Sequence, residues 1–168
     1  LHYAPGVVEL DANFTEFKLH AMEAEVLTLR ALMYFYLVRT FEKVPWVEEP
    51  SIDDAQDYRI PQSSEDVILD HLVTDLQTAL KYSRDNYETN TYTKGRITTN
   101  AVRSLLADIY LWREEYAKCV EMCDLIMNNT DLELETGENV ISRVFYQGNS
   151  KESIFELQFD DDLMFNWV

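Results

Sequence analysis

Positive charge is scarce in this chain, whose 168 residues carry 14 Lys and Arg against 31 Asp and Glu, for a formal charge of −17. So acidic a surface repels a phosphate backbone, which argues against a nucleic-acid partner. Cysteine is equally scarce. Cys119 and Cys123 stand one turn apart on a predicted helix, where disulfide geometry is poor, so buried free thiols are expected. A metal site would need further ligands close by, and His2, His20 and His71 have no useful spacing to the cysteines. Asp160-Asp-Asp162 lacks the spaced loop and glycine of a calcium hand and reads as a solvated turn. Also lacking are a zinc-binding His-Glu pair, a nucleophile triad signature and a glycine-rich phosphate loop. No catalytic residue, metal or cofactor is assigned, although with 31 acids spacing cannot exclude a glycosidase-like carboxylate pair. No signal peptide or lipid-attachment sequence is visible. The chain starts at Leu1 without an initiator Met and ends in mid-pattern at Trp167-Val168, so it is expected to be a piece of something longer.

What is present is a long apolar stretch. Between Val26 and Phe41 the polar residues are Thr28, Arg30, Arg39 and Thr40, and a helix apolar on nearly every side is a buried one. Glu23, Glu25, Arg30 and Arg39 would each be expensive in hydrocarbon, so residues 19–41 are read as the central helix of a core and not as a membrane span. Arg30 and Arg39 project from opposite sides at about 100° per residue, with Glu23 and Glu42 as expected partners. Both are read as structural, with anion binding the alternative.

Val44-Pro-Trp46 forces an extended exit, because proline disfavours helix at the residue before it. Trp46 either staples the turn to the core or stacks on a ligand. Residues 47–62, acidic and punctuated by Pro50 and Pro61, form a binding loop or a surface crossover. Ser63-Ser-Glu-Asp66 opens a helix over residues 63–83, with Leu69, Leu72, Val73, Leu76, Ala79 and Leu80 as its buried stripe and His71 on its solvated face. Tyr82, Tyr87 and Tyr92 follow in a polar region, either covering loop edges or forming a sugar platform. Gly95 allows a backbone turn, Arg96 can reach a carbonyl or carboxylate, and Thr98 or Thr99 caps the next helix.

Helices over residues 99–113 and 115–128 make an antiparallel hairpin, because so little chain separates them. The stripe Val102, Leu105, Leu106, Ile109 is followed by a second, Tyr116, Cys119, Val120, Cys123, Ile126, Met127, and the arrangement Leu106-Ala107, Tyr110, Tyr116, Cys119, Cys123, Ile126 follows the spacing of a tetratricopeptide repeat. Residues 140–145 suit a short helix. Phe155, Leu157 and Phe159 alternate with Glu156 and Gln158, so residues 153–159 are expected to form a half-buried strand. The expected fold is mainly α: one domain over residues 1–168, built of tetratricopeptide-like antiparallel helix hairpins with a short β element near the C-terminus.

In order and spacing these segments resemble the SusD/RagB family. The residues that carry the resemblance are Ala24-Glu25, Leu29-Arg-Ala-Leu32, Tyr34-Phe35, Leu37-Val-Arg39 and Val44-Pro45. Further along come Asp75-Leu76, Gly95-Arg96, Leu105-Leu-Ala107, Tyr110-Leu111, Glu152 and Ile154-Phe-Glu156. Glu42 departs from the pattern, since the family commonly carries glycine there, and this points to a different backbone path at the helix end. The resemblance implies a non-catalytic, lipid-anchored protein at the surface of the outer membrane. It would bind glycans or oligosaccharides and deliver them to a SusC-like TonB-dependent transporter, with the anchor outside this chain. No ligand residue is carried over from the family; by chemistry the nearest candidates are Phe165 and Trp167. The competing reading is a tetratricopeptide-type scaffold that binds peptide segments of other proteins.

Overall fold

A computed structural model describes residues 1–52 and 58–158. Four long helices form its framework. After a single turn, α1 (Ala4–Val7), helix α2 spans Glu16–Phe41 and α3 spans Glu65–Tyr82. A short helix α4 (Asn90–Gly95) precedes α5 (Thr99–Trp112) and α6 (Tyr116–Met127). Thr15 accepts a hydrogen bond from Lys18 N and so starts α2 three residues before the apolar period begins. Thr98 caps α5 by accepting from Ala101 N.

Helices α2 and α3 run antiparallel, since contacts pair His20 with Tyr82 and Arg30 with Asp75. A two-stranded antiparallel sheet closes the base of their connection: β1 (Val44–Pro45) pairs with β2 (Gln62–Ser63), Val44 opposite Ser63 and Pro45 opposite Gln62. The hairpin α5–α6 packs its first helix on α3. The core between them is Phe35, Ile68, Leu72, Leu76, Leu106 and Ile109, all nearly closed to solvent. Arg113 ties the α5–α6 turn to α3, reaching Asp70 at 2.7 Å and Glu115 at 2.8 Å. The mainly helical, tetratricopeptide-like architecture expected from the sequence is present.

Several local expectations are corrected. Helix α2 is buried along one stripe, Ala24, Thr28, Ala31, Phe35 and Val38, while Met22, Val26, Leu29, Met33 and Tyr36 face solvent. The reason is that α3 and α5 cover one side, and among the described residues nothing lies on the other. Likewise α6 turns Cys119, Met122 and Ile126 inward but has no fully buried residue, so Cys119 is half-buried and Cys123 exposed, both as free thiols.

The strand expected over residues 153–159 is absent from residues 153–158, and Phe159 lies outside the described residues. Ile154 and Phe155 both pack on the core while Leu157 is 71% exposed, which is not a half-buried alternation. The segment instead attaches to the end of α4 through one ladder-like bond, from Glu156 N to Lys94 O at 2.7 Å. The observed β element is β1–β2, far earlier in the chain.

Glycine behaves differently too. Gly95 needs no left-handed backbone; a Cβ there would stand 2.6 Å from Gln158 Cγ, so its smallness admits the Gln158 side chain. Glu42, by contrast, has φ 64 and ψ −53, and Lys43 N donates to Phe41 O at 2.7 Å across it. That is a γ-turn of the strained, positive-φ kind.

Candidate functional site

Phe165 and Trp167, the ligand candidates named from sequence, lie outside the described residues. Among the described residues no cluster of three or more His, Cys, Asp and Glu is arranged to hold a metal ion, and no helix is long and apolar enough to cross a membrane.

Trp46 acts as a staple. Its ring lies 4.5 Å from Tyr34 and 4.7 Å from His71, stacked on the latter at 14°, with the Arg30 guanidinium 5.2 Å away. Arg30 in turn gives two hydrogen bonds to Asp75 Oδ2, at 3.0 and 2.7 Å, and the Tyr34 hydroxyl accepts from Val47 N at 3.0 Å. Trp46 is thus engaged within the chain, and His71 stacks on it where a solvated position was expected. Arg30 does not use Glu23, which bonds His20. Arg39 does not use Glu42; it lies 5.1 Å from the rings of Phe35 and Trp112 and 3.4 Å from Asp108.

A polar cleft of about 400 Å³ opens between residues 133–136 and 143–151. Its charges are already matched, Arg143 to Glu135 at 2.9 Å and Lys151 to Glu133 at 3.2 Å. Glu156 supports its rim by accepting from Asn149 N through both carboxylate oxygens at 2.9 Å. Lys94, buried beneath, donates to Ser153 O at 2.5 Å, and burial holds its ammonium below the ordinary lysine range.

A larger groove, about 580 Å³, lies where the start of α2 meets the end of α3. Phe17, His20 and Tyr82 provide its aromatic surfaces, with Phe17 71% exposed and His20 stacked on Tyr82 at 4.5 Å. Lys81, Arg84 and Asn86 supply polar donors, and Asp85 an acceptor. The fold sets Arg84 with care. Its backbone bridges to Thr98, and its carbonyl accepts from Thr99 N at 2.8 Å. Its guanidinium sits 5.8 Å from the Phe17 ring and 5.7 Å from that of Tyr87.

Tyr87 is itself locked, donating from its hydroxyl to Ile97 O at 2.9 Å beneath Arg96, which lies 4.2 Å from its ring and pairs with Glu25 at 2.5 Å. Burial, reinforced by the Glu25 charge, pushes the Tyr87 phenol up to about 12. Of the three loop tyrosines weighed as a sugar platform, the structure brings Tyr82 into the groove. It uses Tyr87 as a support and leaves Tyr92 outside.

Phe17, His20 and Arg84 were not found from sequence, because they join segments more than sixty residues apart in the chain and share no period. The available hint was compositional: an arginine, an aspartate and an asparagine directly after an apolar helix. Aromatic faces beside a guanidinium, an amide and a carboxylate can hold a sugar ring, stacking on its C–H face and bonding its hydroxyls.

Comparison with known proteins identifies relatives. Residues 7–111 match the SusD-like family described as starch-binding associating with outer membrane. The SusD-like protein P2 of Formosa agariphila is 25% identical over 157 residues, covering 92% of this chain and 30% of that protein. Among solved structures, a SusD superfamily protein from Bacteroides thetaiotaomicron superposes with a TM-score of 0.72 at 26% identity, covering 84% of this chain and 32% of the other. Surface glycan-binding protein A from Bacteroides fluxus gives a TM-score of 0.70 at 25% identity, covering 84% and 30%. The chain therefore spans about a third or less of the length of these relatives.

Proposed function

The chain belongs to the SusD-like family of starch-binding proteins associating with the outer membrane, and from that premise we propose that it is the helical part of a non-catalytic, surface-exposed glycan-binding lipoprotein. The full-length protein captures oligosaccharides and hands them to a SusC-like TonB-dependent transporter, held to the membrane by a lipid anchor outside this chain. The observation that carries this reading is the family match over residues 7–111, joined to a helical fold shared with a protein named for surface glycan binding. The groove at Phe17 and Tyr82 agrees with it chemically.

The test is a glycan array with the full-length protein, followed by prolonged incubation with each glycan retained. Binding without release of new reducing ends is expected; release of reducing ends would show turnover and end the non-catalytic reading. Delivery is tested by isolating the native protein from outer membranes, where a TonB-dependent transporter should co-purify. Retention of unfolded peptides in place of glycans would favour a peptide-binding scaffold.

A further inference from the structure

We propose, building on the carbohydrate-binding reading above, that the groove between the start of α2 and the end of α3 is a subsite for an anionic sugar. The ligand is a pyranose that bears a carboxylate or a sulfate ester. Most arginines of this chain are already engaged within it. Arg30, Arg39, Arg96, Arg113 and Arg143 each face a carboxylate, and Arg103 bonds the Asn100 side chain. The Arg84 guanidinium, among the described residues, has neither an ion pair nor a hydrogen bond, and Lys81 beside it has no ion pair.

Arg84 is not loose, however. Its backbone is fixed by the bridge to Thr98, and its guanidinium lies between two rings that attract the charge while leaving its N–H donors unused. A half-buried guanidinium held with open donors suits a planar oxyanion, which it can grip with two parallel hydrogen bonds. At a net charge of −17 the surface as a whole repels anions, so holding one depends on these local cations.

The rest of the groove fits the sugar that carries the anion. Exposed Phe17 offers a face for the ring, Asn86 bonds hydroxyls from either direction, and Asp85 accepts from them. The negative groups nearby include Asp85, Glu23, which is turned to His20 at 3.0 Å, and Glu25 beside Tyr87, which is paired with Arg96. At about 580 Å³ the volume lies within the range of small-ligand sites. The cleft at Asn149 offers no such opening, since its arginine and lysine already hold carboxylates.

The experiment uses the full-length protein on three sets of immobilised oligosaccharides: uronate-containing, sulfated, and neutral glycans of matched linkage. Wild type, Arg84→Gln and Phe17→Ala are compared, with Lys43→Gln as a control that removes one exposed cation at the far end of α2. Circular dichroism and melting confirm that each variant is folded. At least one anionic set should be retained, with affinity falling steeply as salt rises. Arg84→Gln should weaken it by tenfold or more, Phe17→Ala should weaken it also, and Lys43→Gln should leave it unchanged. Which set responds identifies carboxylate or sulfate. Retention of neutral glycans alone, or anionic binding that Arg84→Gln does not reduce, overturns the proposal while leaving the glycan-binding reading intact. Failure to retain any glycan overturns both.

Discussion

Arg30 on α2 and Asp75 on α3 meet in the half-buried seam between the two helices, with Nε and Nη2 of the arginine donating to the same carboxylate oxygen at 3.0 and 2.7 Å. Burial raises the Asp75 carboxyl above its ordinary range even with the guanidinium opposing the shift. Removing one partner therefore strands a desolvated charge. In the full-length protein, Asp75→Ala should cost about 2–4 kcal/mol. Replacing both partners with Arg30→Met and Asp75→Leu should restore most of the loss. Urea denaturation midpoints decide this, and a single variant as stable as the parent would show that the pair contributes nothing.

Glu42 occupies a backbone conformation that glycine adopts at far lower cost, and its γ-turn ends α2 and aims the chain into β1. The strain is of order 1–3 kcal/mol, offset in part by the extra freedom glycine loses on folding. Glu42→Gly should thus stabilise the protein by about 1 kcal/mol, and Glu42→Val should destabilise it. A thermal melt in which glycine lowers the midpoint would contradict the strained turn.

Tyr87 gives an alkaline signature. Burial pushes its phenol up to about 12 in the folded chain against about 10 when exposed, so its contribution to stability is complete below about pH 10 and is lost as pH rises through about 12. Wild type should weaken more steeply over that window than Tyr87→Phe. In the difference between their tyrosinate absorbance titrations, a phenolate forming near pH 12 should be visible. Parallel stability curves would remove the buried phenol from consideration.

Leu106 is 1% exposed at the centre of the core, whereas Leu105, at 8%, borders an open concavity near Phe155. Leu106→Ala should cost about 3–5 kcal/mol and Leu105→Ala nearer 2, because the second site can relax toward solvent. Equal shifts in denaturation midpoint would contradict the difference in packing.

The helices were legible because local signals specify them. The stripe from Leu69 to Ala79 and that from Val102 to Ile109 repeat at helical spacing, and both face the core as read. Charge partners were not legible. Glu23 and Glu42 were the nearest acids along the helix, yet Arg30 and Arg39 found Asp75 and Asp108, which only tertiary packing brings close. Similarly, Phe155 and Leu157 looked alike in a period of two, but a strand needs a neighbour, and α4 offers Lys94 O as its single ladder-like bond. The groove escaped for the same reason, since Phe17 and Arg84 become neighbours only when α2 and α3 align.

Among the described residues one flank of α2 is uncovered. From Met22 to Tyr36 it exposes a row of oily side chains roughly 20 Å long, and two copies lying flank to flank would hide that row by the same gain that drives folding. Expressed by itself, this stretch would cluster as its concentration rises. Ligand affinities measured on such clusters would report avidity among copies, not the strength of one site.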